Sequence, residues 1–116
     1  MHRFKELDVW KLSIELCTEV YKMTESFPRK EQFGLVSQIN RCSVSIPSNI
    51  AEGAGRNSKK EFNNFLAISL GSAFELETQL IIATNLNYIN QIDQTQLIIK
   101  LNRVQNMLYG LKKSLS

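Results

Sequence analysis

Arg41, Glu52, Glu75 and Glu77 are the side chains whose types could move protons, because carboxylates beside a guanidinium can serve as general acid and base. The same groups could instead form an ion-pair and hydrogen-bond seam that sets helix register or a subunit contact. Their neighbours favour the seam. Gln38, Arg41, Ser45, Asn49 and Glu52 recur every three or four residues, so on a helix they share an arc of about 80°. A solvated face is normally built from Lys and Glu, whereas short hydrogen-bonding groups around one arginine suit contact with another helix. Other chemistries have less to work with. His2 is the one histidine, and a di-iron bundle needs a Glu-x-x-His pair on each of two helices. Cys17 and Cys42 fall on apolar stripes and read as core thiols, too few for a disulfide framework. There is no Gly-x-Ser-x-Gly elbow, and Gly53-Ala54-Gly55 lacks the rest of a phosphate loop and reads as a turn. No enzyme, metal or other cofactor is expected.

Four amphipathic stretches must position these groups. The first runs from Asp8, a plausible N-cap, to Ser26, with Val9, Leu12, Leu16, Val20 and Met23 on one face, and Phe27-Pro28 ends it. The second runs from Lys30 to Ala54 through Leu35, Ile39, Cys42, Ile46 and Ile50, with a kink expected at Pro47. The third starts at the capping box Ser58-Lys59-Lys60-Glu61 and runs to Asn87, a residue suited to a left-handed cap. The fourth starts at Asp93 and carries Leu97, Leu101, Val104, Leu108 and Leu111. No segment alternates with period two. Short connections make consecutive helices antiparallel neighbours, so the fold class is all-α, an up-and-down four-helix bundle spanning 1–116 as one domain. At 116 residues, 43% apolar and 22% charged, the chain can bury a core of its own. The opening MHRFKELDVW is charged throughout and does not read as a secretory signal, and no apolar run approaches the ~18 residues of a membrane span. The expected compartment is the cytoplasm, without a membrane partner.

Two features of the third helix carry consequences. Phe62, Leu66, Ser69, Ala73, Leu76 and Leu80 form one stripe, Leu70, Phe74 and Ile81 widen one flank, and Ile68, Ile82 and Leu86 lie on the other side. A helix apolar all round is buried all round, and a monomeric bundle leaves every helix an outward face, so self-association is expected. Scattered single apolar residues on a surface are the bland alternative. Projection also places the Glu77 carboxylate among Leu66, Leu70, Ala73 and Ile81, where it needs a partner, and Arg41 is the best candidate. Breaking a buried pair of that kind would cost about 3–5 kcal/mol.

Charge is distributed by pole. In an up-and-down bundle one end collects Arg3, Lys5, Arg56, Lys59, Lys60, Lys112 and Lys113 against Glu6, Asp8, Glu52 and Glu61. The other end holds Arg29 and Lys30 against Glu25, Glu31 and Asp93. The whole net charge of +3 is thus matched by the first pole. Free amides at the start of the third helix point there too, a setting that favours phosphate. Aligned copies would turn the cations into a ring that reads phosphate backbone rather than sequence. Basic termini that bind nothing are equally common.

Several segments carry a resemblance. Phe4-x-x-Leu7-x-Val9-Trp10, Phe27-Pro28, Glu31-x-Phe33-Gly34-Leu35 and Gln38-x-x-Arg41 resemble the four-helix-bundle family associated with intervening sequences in 23S ribosomal RNA. Ser45-Ile46-Pro47-x-Asn49-Ile50-Ala51-Glu52-Gly53 followed by Gly55-Arg56 is the most specific segment, and Gly71-Ser72-x-x-Glu75-Leu76-Glu77-Thr78 is similar to the family as well. The likeness covers about residues 4–90, with Asn87 standing where the family usually has glycine. It implies a bundle that assembles into a homo-oligomeric ring, commonly a homopentamer, with no enzymatic activity generally attributed to it. Relatives include accessory variability proteins of diversity-generating retroelements, which implies RNA and a reverse transcriptase as possible partners. A protein-interaction scaffold with no nucleic-acid role is the other function class consistent with these features.

Overall fold

Three of the four long helices start where a side chain takes up a free amide of the first turn. The computed structural model describes residues 3–116, and His2 lies outside the described residues. After a one-turn 3-10 helix at Phe4–Glu6 come α1 (Asp8–Thr24), a second 3-10 turn at Arg29–Glu31, α2 (Leu35–Ala54), α3 (Lys59–Asn85) and α4 (Gln91–Ser114). Among the described residues there is no strand. α1 packs on α2 and α4, and α3 packs on α2 and α4, so each helix has two lateral neighbours around one core. The all-α, four-helix architecture expected from the periodicity is therefore present.

The apolar stripes are the core. Leu16, Val20, Ile39, Ile46, Ile50, Phe62, Leu66, Ala73, Leu76, Leu80, Leu101, Val104 and Leu108 are all buried, with Phe4, Trp10, Leu12, Met23, Leu35 and Leu111 half-buried around them. α3 buries all six residues of its expected stripe. α2 continues through Pro47 to Ala54.

Three boundaries differ from the expectation, each for a local reason. Asp8 is the first helical residue of α1 rather than its cap; Leu7 precedes it without a side-chain cap, and the aspartate favours the helix start through its charge alone. α2 begins at Leu35, not Lys30, because Glu31 folds back to cap it. The Glu31 carboxylate accepts from the Leu35 N–H at 3.2 Å and from the Tyr88 hydroxyl at 2.8 Å. A Cβ on Gly34 would stand 2.9 Å from that carboxylate oxygen, so glycine leaves it room. α4 begins at Gln91, capped by Asn90, whose Oδ1 accepts from the Asp93 N–H at 2.8 Å. The α3 start is as expected: Ser58 Oγ accepts from the Glu61 N–H at 3.1 Å. At its end Asn87 is left-handed, φ 63°, and the Tyr88 and Asn87 amides bond the carbonyls of Ala83 and Thr84 in a Schellman closure.

Among the described helices α3 alone is long and apolar enough to cross a membrane by length and composition, and a third of its most apolar stretch is buried inside the bundle.

Candidate functional site

The closest helix pair is α2 with α3, and small residues make the approach possible. A Cβ on Gly53 would lie 2.6 Å from Phe65 Cβ and 3.0 Å from Phe62 Cδ1. Ser69 Oγ donates to the Ile46 carbonyl at 2.9 Å, and Ser45 Oγ meets Ser72 Oγ at 2.9 Å. Beside this contact Gln38, Arg41, Cys42, Ser45, Ser72 and Glu75 line an open cleft of about 510 Å³. Asn49 Nδ2 donates back to Ser45 O and Oγ at 2.8 and 2.9 Å. Gln79 Nε2 faces Gln38 Oε1 at 3.4 Å, while Gln79 Oε1 is buried without a partner.

The cleft gathers Gln38, Arg41 and Ser45 of the expected polar seam, with Asn49 bonded to Ser45 behind them, but neither Glu52 nor Glu77. Glu77 lies on the opposite flank of α3, where it accepts from Gln105 Nε2 of α4 at 2.8 Å. Among the described residues no carboxylate lies within 4 Å of Arg41, so the Arg41–Glu77 pair does not form. Glu75 rather than Glu77 lines the cleft beside α2, because residues two positions apart on a helix point about 200° apart and only one of them can face α2. Glu52 sits at the pole and pairs with Arg56 at 3.2 Å. Burial, then the Glu75 carboxylate, push the Cys42 thiol up to about 12, which keeps it protonated and a poor nucleophile. Cys17 faces the other way, 3.5 Å from Ser43 Oγ, and both cysteines are free.

At the cationic pole, three acids are already engaged. Glu6 pairs with Arg3 at 3.5 Å, Glu52 with Arg56 at 3.2 Å, and Glu61 accepts from its own cap hydroxyl of Ser58 at 3.3 Å. Arg56 also lies over the Phe65 ring, 4.8 Å from its centroid, which fixes the guanidinium in place. Lys112 Nζ reaches Asn63 O and Oδ1 at 3.3 and 3.0 Å, joining the end of α4 to the start of α3. Among the described residues no carboxylate lies within 4 Å of Lys5, Lys59, Lys60, Lys112 or Lys113. Two acids are thus answered by the two arginines, Glu61 and Asp8 keep their charge without an ion pair, and five lysines have no carboxylate partner among the described residues.

The outward face of α3 remains apolar. Ile68, Ile82 and Leu86 are exposed on the α2 side, Phe74 and Ile81 on the α4 side, and a Cβ on Gly71 between them would touch nothing within 4 Å. Glu75 is the one charge on this face between Asn64 and Leu86. Phe33, at the opposite pole, is 92% exposed.

Other polar contacts were not anticipated. Lys100 of α4 ties to Glu15 and Glu19 of α1 at 3.0 and 2.6 Å, and these carboxylates hold its ammonium above the ordinary lysine range. Glu31 is held below the usual carboxylate range by the Tyr88 hydroxyl and then the Leu35 amide, and the same contact with Glu31 raises Tyr88. Glu15 and Glu19 share a helix face, the one signal in the sequence that could have pointed to a bridging lysine.

Comparison with known proteins places this geometry in context. The family model described as 23S rRNA-intervening sequence protein matches residues 5–110. A crystal structure of a protein of unknown function from the S23 ribosomal protein family of Bacteroides thetaiotaomicron superposes with a TM-score of 0.82 at 26% identity, covering 90% of this chain and 98% of that one. No curated protein matches the chain.

Proposed function

The chain belongs to the 23S rRNA-intervening sequence protein family, and from that premise we propose that it is a cytoplasmic, non-enzymatic bundle that self-associates and binds RNA or an RNA–protein complex through its cationic pole. The observation carrying this reading is the set of lysines, Lys59, Lys60, Lys112, Lys113 and Lys5, that have no carboxylate within 4 Å, while Glu6 and Glu52 at the same end pair with Arg3 and Arg56. Arg3 and Arg56 add cations whose charge is partly answered by their own partners. Such a pole attracts phosphate with little regard to base identity.

Self-association rests on the exposed apolar face of α3, and the family resemblance makes a pentameric ring the expected form. Repeated poles on one rim would raise avidity above the affinity of a single copy. A reverse transcriptase is the protein partner the resemblance offers.

The test is a gel shift with the Arg56→Ala, Lys59→Ala, Lys60→Ala triple variant. It weakens RNA binding with an unchanged helical spectrum, and the slope of log affinity against log salt falls by about 0.7 per lost phosphate contact on single strands. Unchanged affinity removes these three residues from the interface. If the parent binds no RNA or DNA at physiological salt, a protein-interaction scaffold replaces this reading.

A further inference from the structure

Tyr109 is 64% exposed on α4, one turn before Lys112 and Lys113. Asn63, Tyr109, Lys112, Lys113 and Ser116 line an open cleft of about 250 Å³ that no Asp or Glu side chain enters. The Lys112 ammonium is held in place by Asn63 Oδ1 and O at 3.0 and 3.3 Å. That contact occupies the amide oxygen of Asn63 and leaves its Nδ2 as a donor. Ring contacts elsewhere join Phe4 to Trp10 and Phe27 to Tyr88; among the described residues Tyr109 has none. An aromatic face, two cations and an amide donor thus converge on a recess lined by no Asp or Glu.

We infer that this recess is a single-stranded RNA subsite, with one base stacked on Tyr109 and the flanking phosphates on Lys112 and Lys113. The inference rests on the RNA-binding reading of the pole and adds to it the form of nucleic acid. In a duplex the base faces are stacked inside the helix, so only phosphates would reach the lysines and Tyr109 would contribute nothing. An unpaired base has a free face, and base–aromatic stacking tolerates any sequence. The Asn63 amide donor can meet a carbonyl or ring-nitrogen acceptor on the base edge.

Fluorescence anisotropy with a labelled 12-nucleotide oligouridine and with an RNA duplex of equal length tests this on the full chain. Tyr109→Ala lowers affinity for the single strand by roughly 5- to 100-fold, the range of one lost stack, and leaves duplex affinity unchanged. Tyr109→Phe restores single-strand binding, and the Lys112→Ala, Lys113→Ala double variant weakens both ligands. Tyr109 is exposed, so circular dichroism of its variants matches the parent. Loss of binding in the lysine variant with none in Tyr109→Ala overturns the stacking subsite while the cationic pole survives. Equal losses on both ligands in Tyr109→Ala also overturn it. A parent that binds neither ligand overturns the pole itself.

Discussion

Replacing Gly53 and Gly71 by alanine, one at a time, separates the inner from the outer surface of α3. At Gly53 the new methyl would lie 2.6 Å from Phe65 Cβ, an atom fixed to its backbone, and 3.3 Å from the Phe62 carbonyl. Carbon contacts sit at about 3.5–4.0 Å, so α2 and α3 must separate by nearly 1 Å near their junction. Overpacking of that kind costs about 1–3 kcal/mol, and the rigid obstacle points to the upper end. Alanine recovers about 1 kcal/mol of helix propensity, leaving a net loss of about 2 kcal/mol. A chain of this size unfolds with an entropy near 0.24 kcal/mol/K, so the midpoint falls by about 8 °C. At Gly71 a methyl meets nothing within 4 Å. The propensity gain then stands alone and raises the midpoint by about 4 °C. Both melts are run by circular dichroism at one protein concentration, since the proposed assembly would make the midpoint concentration-dependent. A Gly53→Ala variant melting at or above the parent would refute the close α2–α3 approach. If Gly71→Ala lowers the subunit count, a second copy lies against that glycine.

Glu77→Ala leaves Gln105 Nε2, on a residue only 8% exposed, with a single long contact to the Ala73 carbonyl at 3.5 Å, and lowers stability by about 1–3 kcal/mol in a urea titration. Arg41→Ala, exposed and without an ion pair, stays within about 0.5 kcal/mol of the parent in the same titration. The Glu31–Tyr88 contact sets a pH window. Glu31 is lowered from 4.5, so its contribution is present above 4.5 and lost as pH falls through its folded value; Tyr88 is raised from 10.0, so its contribution is present below 10.0 and lost as pH rises through its folded value. The midpoint difference between parent and Tyr88→Phe is therefore flat between those limits and shrinks outside them in thermal melts. Phe74→Lys and Ile82→Lys alter opposite flanks of α3, and each alone reduces the mass measured by light scattering. Mixed together they form a one-to-one dimer when flank meets unlike flank, as a ring requires, and remain apart when like meets like.

Periodicity identified the helices and their buried stripes because burial demands every third or fourth residue whatever the partner. The six residues assigned to the α3 core stripe are buried without exception, and Asn87 adopts the left-handed conformation its side chain tolerates. Helix starts were less legible. Asn90 and Asp93 compete as caps, and the winner depends on which frame lets the side chain reach the third amide. Glu31 is legible only in three dimensions, since its second partner, Tyr88, is 57 residues away. The seam shows the same limit. Projection placed Glu77 on an apolar flank correctly, yet gave no means of telling which flank faces α2 and which α4. Pairing across a bundle is a property of neighbours, and a one-helix projection contains none.

The distribution of pairing explains why the pole and the α3 face belong to one reading. The carboxylates that tie one helix to another lie away from the cationic pole: Lys100 closes α4 to α1 through Glu15 and Glu19, and Gln105 closes α4 to α3 through Glu77. At the pole the ion pairs that form are local, Arg3 with Glu6 and Arg56 with Glu52, and they tie no helix to another. Exposed pairs of that kind are worth at most about 1 kcal/mol, so a phosphate can displace Glu52 from Arg56 at little cost. Phe65 would hold the guanidinium in place through the exchange. Electrostatic binding by one copy is weak at physiological salt, and the remedy is repetition rather than a stronger site. The apolar face of α3 runs along the side of the bundle and the lysines sit at its end, so copies joined side by side present their poles together. Disrupting the α3 face should then weaken RNA binding without touching a single cation.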